Sequence, residues 1–571
     1  MKRLEFVFTA GILVFLAASD LSFAAPGATT LCTVKDNKTA AVVFTTDDGF
    51  YNSIQQYLPL WQYYNLRGTV ALVSGWVAGE GIPINDPPNQ GVYHGSWSEW
   101  AALVDGEYLD IGNHTQSHPD LTKSNAAELE FEINGAKQRI DLNIPQYHTI
   151  CLLCPSGAYN NTVINKAMEQ HYACRVIDNG YNSFSPTVSD IYRLKRQQIL
   201  SATAVSAAKQ WVDAAITGGT WIIEAFHGVN GEGWEPPPLS FFNAHWAYID
   251  SQSGALWCGK FNEVVKYIKE RMAAIVTLIS SDASKITLTL TDTLNNAIFN
   301  YPLTLKTQVL ASWSAVRVTQ NGKNSIIIPK NESGNYFAYY DAIPDSGQID
   351  LVPITLGTFV NIASGKLVTA SSVSASGFEG ANAVDGNSGT RWLSNSNNFE
   401  WLSIDLGNRF YINRVVLHWA ASYGTKYRIQ VSDNAKTWTD LMIVRNSDGG
   451  TDDIAVSGNG RYVRISGMLR NSTSDGYSLN EIEVYGIQTN GPTSTMTPAP
   501  VRVLQQDIIT CKALGDNNIM PRELQGKTAS ITLYDLSGRL MRKAIAGQGK
   551  ITLRKEFGLP DGVYIVRIKV R

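Results

Sequence analysis

The chain has 571 residues, with 47 basic and 50 acidic side chains and a formal net charge of −3. That length suggests three or four domains. Near neutrality removes any electrostatic case for nucleic acid or an anionic membrane as a partner.

In chain order, the first segment reads M-K-R-L-E-F-V-F-T-A-G-I-L-V-F-L-A-A-S-D-L-S-F-A-A-P. A basic start, an apolar stretch and small residues at Ala24 and Ala25 predict a signal peptide over residues 1–25. The stretch is too short to span a bilayer. The expected location is therefore secreted or cell-surface, and no later segment reads as a transmembrane helix.

Three polar clusters follow, each after a short apolar run of the kind expected for buried parallel strands. A-V-V-F leads into T-T-D-D-G-F, with Asp47 and Asp48. Y-L-D-I-G leads into N-H-T-Q-S-H-P, with His114 and His118. W-I-I-E-A-F leads into His227. Helix-like stretches at residues 124–142 and 163–170 lie between them. This alternation predicts an α/β domain with its site at the strand C-terminal ends. The four-residue spacing of His114 and His118 predicts one helical turn that aims both rings to one side. Together the clusters offer three metal ligands, a carboxylate base and an imidazole acid, which suffices for metal-assisted hydrolysis. Zinc is the default metal, and the mixed nitrogen and oxygen donors also suit cobalt, nickel or manganese.

The chain has six cysteines, at 32, 151, 154, 174, 258 and 511. Export permits disulfides. C-L-L-C lacks a second pair to complete a zinc site, so buried thiols or a bridge to Cys174 are expected.

Residues 273–355 alternate in the β manner and predict a small β-sandwich. Residues 356–487 form another β-rich block. A Gly-Pro-Thr-Ser stretch within residues 488–504 reads as a linker. Residues 505–571 read as a last small β-domain.

T-T-D-D-G-F, H-T-Q-S-H-P-D-L, C-P-S-G-A-Y-N, F-H-G and L-W-C-G-K-F-N-E-V-V-K-Y-I-K-E-R resemble, in order, the motifs of NodB-homology polysaccharide deacetylases. The likeness covers residues 38–272 and implies a deformed (β/α) barrel. By position it implies Asp47 as general base, Asp48, His114 and His118 as metal ligands, and His227 as general acid. The Ser156 N–H becomes the oxyanion donor. Many members carry an Arg where this chain has Leu153, and Arg175 is the expected replacement that orients Asp47.

A-N-A-V-D-G-N-S-G-T-R-W, W-L-S-I-D-L-G and L-N-E-I-E-V-Y-G resemble discoidin-like coagulation-factor type C domains, which in bacterial enzymes serve as carbohydrate-binding modules. The likeness implies a structural calcium at Asp385, Thr390 and Glu481. Trp392, His418, Trp419 and Tyr423 are the expected sugar contacts, with Trp401 also available. L-Y-D-L-S-G-R-L and L-P-D-G-V-Y-I-V-R-I-K-V resemble a sorting domain read by type IX secretion machinery. The combined expectation is a multidomain, exported, metal-dependent deacetylase of acetylated xylan or an N-acetylglucosamine polymer. The alternative is a non-catalytic glycan-binding surface protein with a deacetylase-like domain.

Overall fold

The computed structural model describes residues 26–104, 107–145 and 147–489, with four strands further on, Ile508–Ala513, Ala529–Tyr534, Leu540–Ala546 and Gly562–Val570. The expected signal peptide and nearly all of the expected linker lie outside these residues. Among the described residues no helix is long and apolar enough to cross a membrane.

After a short strand β1 (Thr29–Leu31), eight strands follow: β2 (Ala40–Thr46), β3 (Gly68–Leu72), β4 (Leu109–Asn113), β5 (Cys151–Leu153), β6 (Ala173–Asn179), β7 (Leu194–Gln198), β8 (Trp221–Phe226) and β9 (Leu256–Cys258). Strands β2 to β8 form a closed parallel barrel of seven strands. Closure occurs at β2, where Ala41 lies opposite Trp221 of β8 and Phe44 opposite Gly68 of β3. β9 borrows the first half of that second edge, pairing with Ala40 to Val42. The β4–β5 seam rests on one register pair, Asn113 with Leu152, which is where the barrel is most deformed.

Strands β2, β3 and β8 are buried along their whole length because both of their faces are covered. Ala41 and Val43 join the interior with Leu153 and Ile223. Val42 and Phe44 face the helices and meet Trp61 and Trp246. Trp61, on helix α1 (Tyr51–Tyr64), lies so close to β3 that a Cβ at Gly68 would come within 2.4 Å of its ring.

Two antiparallel sheets follow the barrel. One contains Leu303–Val309 and Asn335–Ala342, the other Ile286–Thr291, Ile349–Ile354 and Ala315–Gln320. β1 joins the first sheet against Leu303–Val309, and Lys35 pairs with Asp341 at 2.5 Å. The small sandwich therefore recruits a strand from before the barrel, which a reading of residues 273–355 alone does not contain.

The next block is an antiparallel eight-stranded assembly dominated by Trp401–Trp419, Gly424–Ser432, Thr451–Arg470 and Ser478–Gln488. It docks on the barrel through charged groups. Arg428, 1% exposed, donates to the Tyr108 hydroxyl at 2.6 Å and to the Gln62 carbonyl. Lys426 donates to the Tyr63 carbonyl at 3.0 Å, and Arg445 meets Asp250 at 2.8 Å. Gln62 and Tyr63 precede β3, Tyr108 precedes β4 and Asp250 precedes β9. The block thus sits on the end of the barrel from which the strands start. The C-terminal segment, a separate unit, contains a four-stranded antiparallel sheet.

Candidate metal and catalytic centre

Every catalytic residue expected from the sequence lies on a barrel strand or just beyond its C-terminal end. Asp47 and Asp48 follow β2, His114 follows β4, Ser156 follows β5, Arg175 is on β6 and His227 follows β8. One ligand atom each from Asp48, His114 and His118 fall within 4.8 Å of one another. Asp48 Oδ1 lies 3.4 Å from the Nε2 atoms of both His114 and His118. That matches neighbouring ligand atoms in a tetrahedron with metal bonds of about 2.0–2.1 Å, which stand roughly 3.3–3.4 Å apart. Asp48 Oδ1 is buried with no hydrogen-bond partner. An orphaned carboxylate oxygen between two imidazoles fits a divalent metal, and three protein ligands leave positions open.

The surroundings orient these three candidate ligands. His114 Nδ1 donates to the Leu153 carbonyl at 2.6 Å, so Nε2 presents its lone pair to the centre. His118 Nδ1 lies 3.6 Å from Asp86. His94 Nδ1 donates to the Asp48 carbonyl at 2.9 Å, and Asn89 reaches Asp48 Oδ2 at 3.3 Å.

The helical turn expected between His114 and His118 is not present. Thr115 has φ +70° and His118 φ +63°, so the segment is a loop with two left-handed residues. A carboxylate holds that loop. Glu132 accepts from the N–H groups of Gln116 and Ser117 at 3.0 and 2.9 Å, and from the Ser117 hydroxyl at 2.5 Å. Glu132 sits in a π-helical stretch, Glu130–Gly135, within the expected helix. The wider turn aims it at the loop, a frequent role for such insertions. Asp48 also has positive φ, +75°. Backbone held in sparsely populated conformations clusters where function requires it.

Asp47 is buried against Arg175. The guanidinium forks onto both carboxylate oxygens at 2.7 and 2.8 Å and also donates to Thr45 Oγ1 at 2.8 Å. Burial alone would raise the Asp47 pKa. Arg175, with His114 and His227, overrides it and holds the carboxyl below its ordinary range. Asp48 is likewise held low, with burial opposed by the three histidines.

Ser156 lies at φ +52° in the Pro155–Gly157 turn. Its neighbour Gly157 has φ +68°, and a Cβ there would meet the Ile177 backbone at 2.5 Å. His227 Nε2 is 4.0 Å from Asp48 Oδ2, and its ring meets Trp234 edge-on at 5.3 Å. Trp234 is 46% exposed, an aromatic surface at the mouth. Its only sequence signal is an aromatic in the Gly- and Pro-rich stretch after His227. Glu132, His94 and Asn89 left no local signal.

Residues 34–174 match the family model described as polysaccharide deacetylase. The chain carries a polysaccharide deacetylase domain. Residues 368–482 match the F5/8 type C domain model, downstream of the deacetylase domain. A gellan lyase from Bacillus sp is 24% identical over 365 residues, covering 60% of this chain. The chain spans 14% of the length of that relative. Among solved structures, chitosan-binding module 1 derived from chitosanase/glucanase from Paenibacillus sp. IK-5 is 42% identical, over 22% of this chain and 99% of that one, with a TM-score of 0.22. Chitosan-binding module 2 from the same source, in complex with chitotriose, is 40% identical over 22% of this chain and 100% of that one, with a TM-score of 0.22.

In the F5/8 type C domain, Asp385 accepts from Thr390 Oγ1 at 2.8 Å. Glu481 Oε1 is buried without a partner. Burial and the nearby Asp385 carboxyl raise the Glu481 pKa. A cavity of about 490 Å³ is lined by residues including Asn361, His418, Trp419, Thr451, Glu481 and Glu483. One expected sugar contact needs correction, and two others are largely packed away. Trp392 is 1% exposed, its indole N–H bonded to the Ser372 carbonyl, and it belongs to the core. Trp419 is also a core ring, tied to Asp452 at 2.8 Å. Tyr423 is half-buried and packs over Gly449. Inward-facing positions of a β-sandwich bury their rings, so only His418 of the four presents its side chain to the cavity at appreciable exposure.

Proposed function

We propose that the protein is an exported, metal-dependent deacetylase of acetylated polysaccharide, held to glycan by the F5/8 type C domain. The observation that carries this reading is the orphaned Asp48 Oδ1 between His114 and His118, beside an Asp47 kept ionised by Arg175. A divalent metal held by Asp48, His114 and His118, zinc by default with cobalt, nickel or manganese as options, would lower the pKa of a water and polarise the acetyl carbonyl. Asp47 takes the proton of the attacking water, and Arg175 keeps that base ionised and in place. The Ser156 N–H donates to the oxygen that becomes negative. His227 gives a proton to the departing sugar oxygen or nitrogen. Asp385, Thr390 and Glu481 would hold a structural calcium, whose oxygen donors suit that ion. Residues 1–25 act as the signal peptide, and the C-terminal β-domain is read by type IX secretion machinery.

Acetate release from acetylated xylan, N-acetylated chitooligosaccharides and peptidoglycan, with and without a chelator, tests the reading. Chelator-sensitive release from at least one substrate is expected. A metal-free protein with no release from any of them, yet bound to glycan, would establish the non-catalytic alternative.

A further inference from the structure

One buried charge at the barrel mouth has no part in the chemistry above. Arg196 lies on β7, where its register partner on β6 is Asn179, while Arg175 lies opposite Leu194. The register shifts between these two pairs, but Arg196 is two residues beyond Leu194 on β7 and so shares the inward face that Leu194 presents beside Arg175, nearer the mouth. The opposite face of β7 is fixed by Gln197, which lies beside Glu224, and Glu224 pairs outward with His245 at 2.9 Å. Arg196 is 9% exposed, and its Nε is buried without a hydrogen-bond partner. No carboxylate among the described residues pairs with it. Asp47 is the one acid that influences it, and Arg175 already neutralises Asp47. Burial and the Arg175 charge push Arg196 down to about 10, so it remains cationic at neutral pH.

An unpaired, desolvated guanidinium is costly unless something binds it. Its planar fork matches a carboxylate in geometry and charge. With Arg175 already paired to Asp47, Arg196 is left without a counter-ion from the described residues. We propose that Arg196 binds a carboxylate carried by the glycan, which makes acetylated polysaccharides containing uronic acid the substrate class. This specificity role rests on the deacetylase reading above.

The test compares wild type, Arg196→Gln and Arg196→Lys on two glycans of equal acetyl content, one neutral and one containing uronic acid. Wild type is expected to favour the uronic acid polymer by about 10-fold or more in kcat/KM, as suits a charge-assisted fork. Arg196→Gln loses that preference while its rate on the neutral polymer stays within about twofold. Arg196→Lys retains part of it. Removing an unpaired buried charge leaves Tm unchanged or higher, which confirms folding. An equal fall on both polymers, or no fall on either, overturns the proposal. Added acetate separates the two sources of carboxylate. Unchanged acetate inhibition in Arg196→Gln supports the sugar carboxylate. Weakened inhibition without a change in polymer preference assigns Arg196 to the released product and overturns the uronic acid reading. If wild type releases no acetate from either polymer, the deacetylase reading fails by itself. Calorimetric binding of unacetylated oligouronate against a neutral oligosaccharide then decides Arg196. Tighter oligouronate binding that Arg196→Gln abolishes supports it, and equal binding, or a preference that the variant keeps, overturns it.

Discussion

Arg175 and Asp47 are 128 residues apart in sequence, yet the guanidinium of one meets both carboxylate oxygens of the other at 2.7 and 2.8 Å. Both are buried beneath the mouth of the barrel. The pair fixes where the Asp47 oxygens point and keeps them unprotonated.

Asp47→Asn is expected to bind metal normally and lose about 100- to 10,000-fold in turnover, because an amide accepts no proton from water. Arg175→Lys keeps the charge and loses the planar fork, so turnover should fall by about 10-fold or more with metal retained. Metal content measured beside acetate release checks both. Near-wild-type turnover in a metal-loaded Asp47→Asn protein would place the base elsewhere.

Asp48→Ala, His114→Ala and His118→Ala each remove one of the three proposed metal ligands and should abolish stoichiometric metal. Glu132→Ala touches no ligand but frees the loop that carries His118. It should weaken metal affinity by about 10- to 100-fold, the usual effect of losing an outer support. Competition with a chromogenic chelator measures this. Wild-type affinity in Glu132→Ala would show that the loop holds its shape unaided.

Arg428 joins the F5/8 type C domain to the barrel end remote from Asp48. Arg428→Ala should lower stability by about 2 kcal/mol, the scale of a charged hydrogen-bonding group lost from a buried contact. Turnover on short soluble substrates should be unchanged. Denaturant unfolding and acetate release are the two readouts. A folded variant with collapsed turnover would mean that the domain acts on the centre.

The Sγ atoms of Cys154 and Cys174 are 3.1 Å apart in a fully buried setting between β5 and β6. After oxidative refolding, peptide mapping should find these two joined and Cys32, Cys151 and Cys258 free. A bridge between any other pair would contradict the arrangement of these strands.

Glu270 is buried and accepts from the Tyr301 N–H at 2.9 and 3.1 Å, joining the last barrel helix to the small sandwich. Burial raises its carboxyl from 4.5 to about 8, against that hydrogen bond. A folded pKa above the unfolded one gives stability that is full below about 4.5 and is lost as pH rises through about 8. Glu270→Gln should therefore raise Tm at pH 9 and change it little at pH 5. Equal shifts at both pH values would show that the carboxyl does not titrate in this window.

Local sequence is enough to mark these candidate residues and to set them at the ends of buried strands. Asp47, Asp48, His114 and His227 each follow an apolar run, and a run of β-branched and aromatic residues is legible as a buried strand without knowing its neighbours. The adjacency of β5 and β6 also follows from strand–helix alternation, which makes Arg175 a candidate partner for Asp47. The remainder depends on groups brought together from distant segments. A four-residue spacing does not distinguish a helical turn from the left-handed loop at Thr115 and His118, because Glu132 stabilises that loop from another element. Trp392 and His418 are both plausible sugar contacts as letters, but sandwich packing buries the first and leaves the second at a cavity. β1 enters the small sandwich, and Arg428 reaches Gln62, through pairings hundreds of residues apart. Periodicity records which side of an element is buried. Which distant group covers it is decided by barrel closure and domain docking, and no local pattern encodes those.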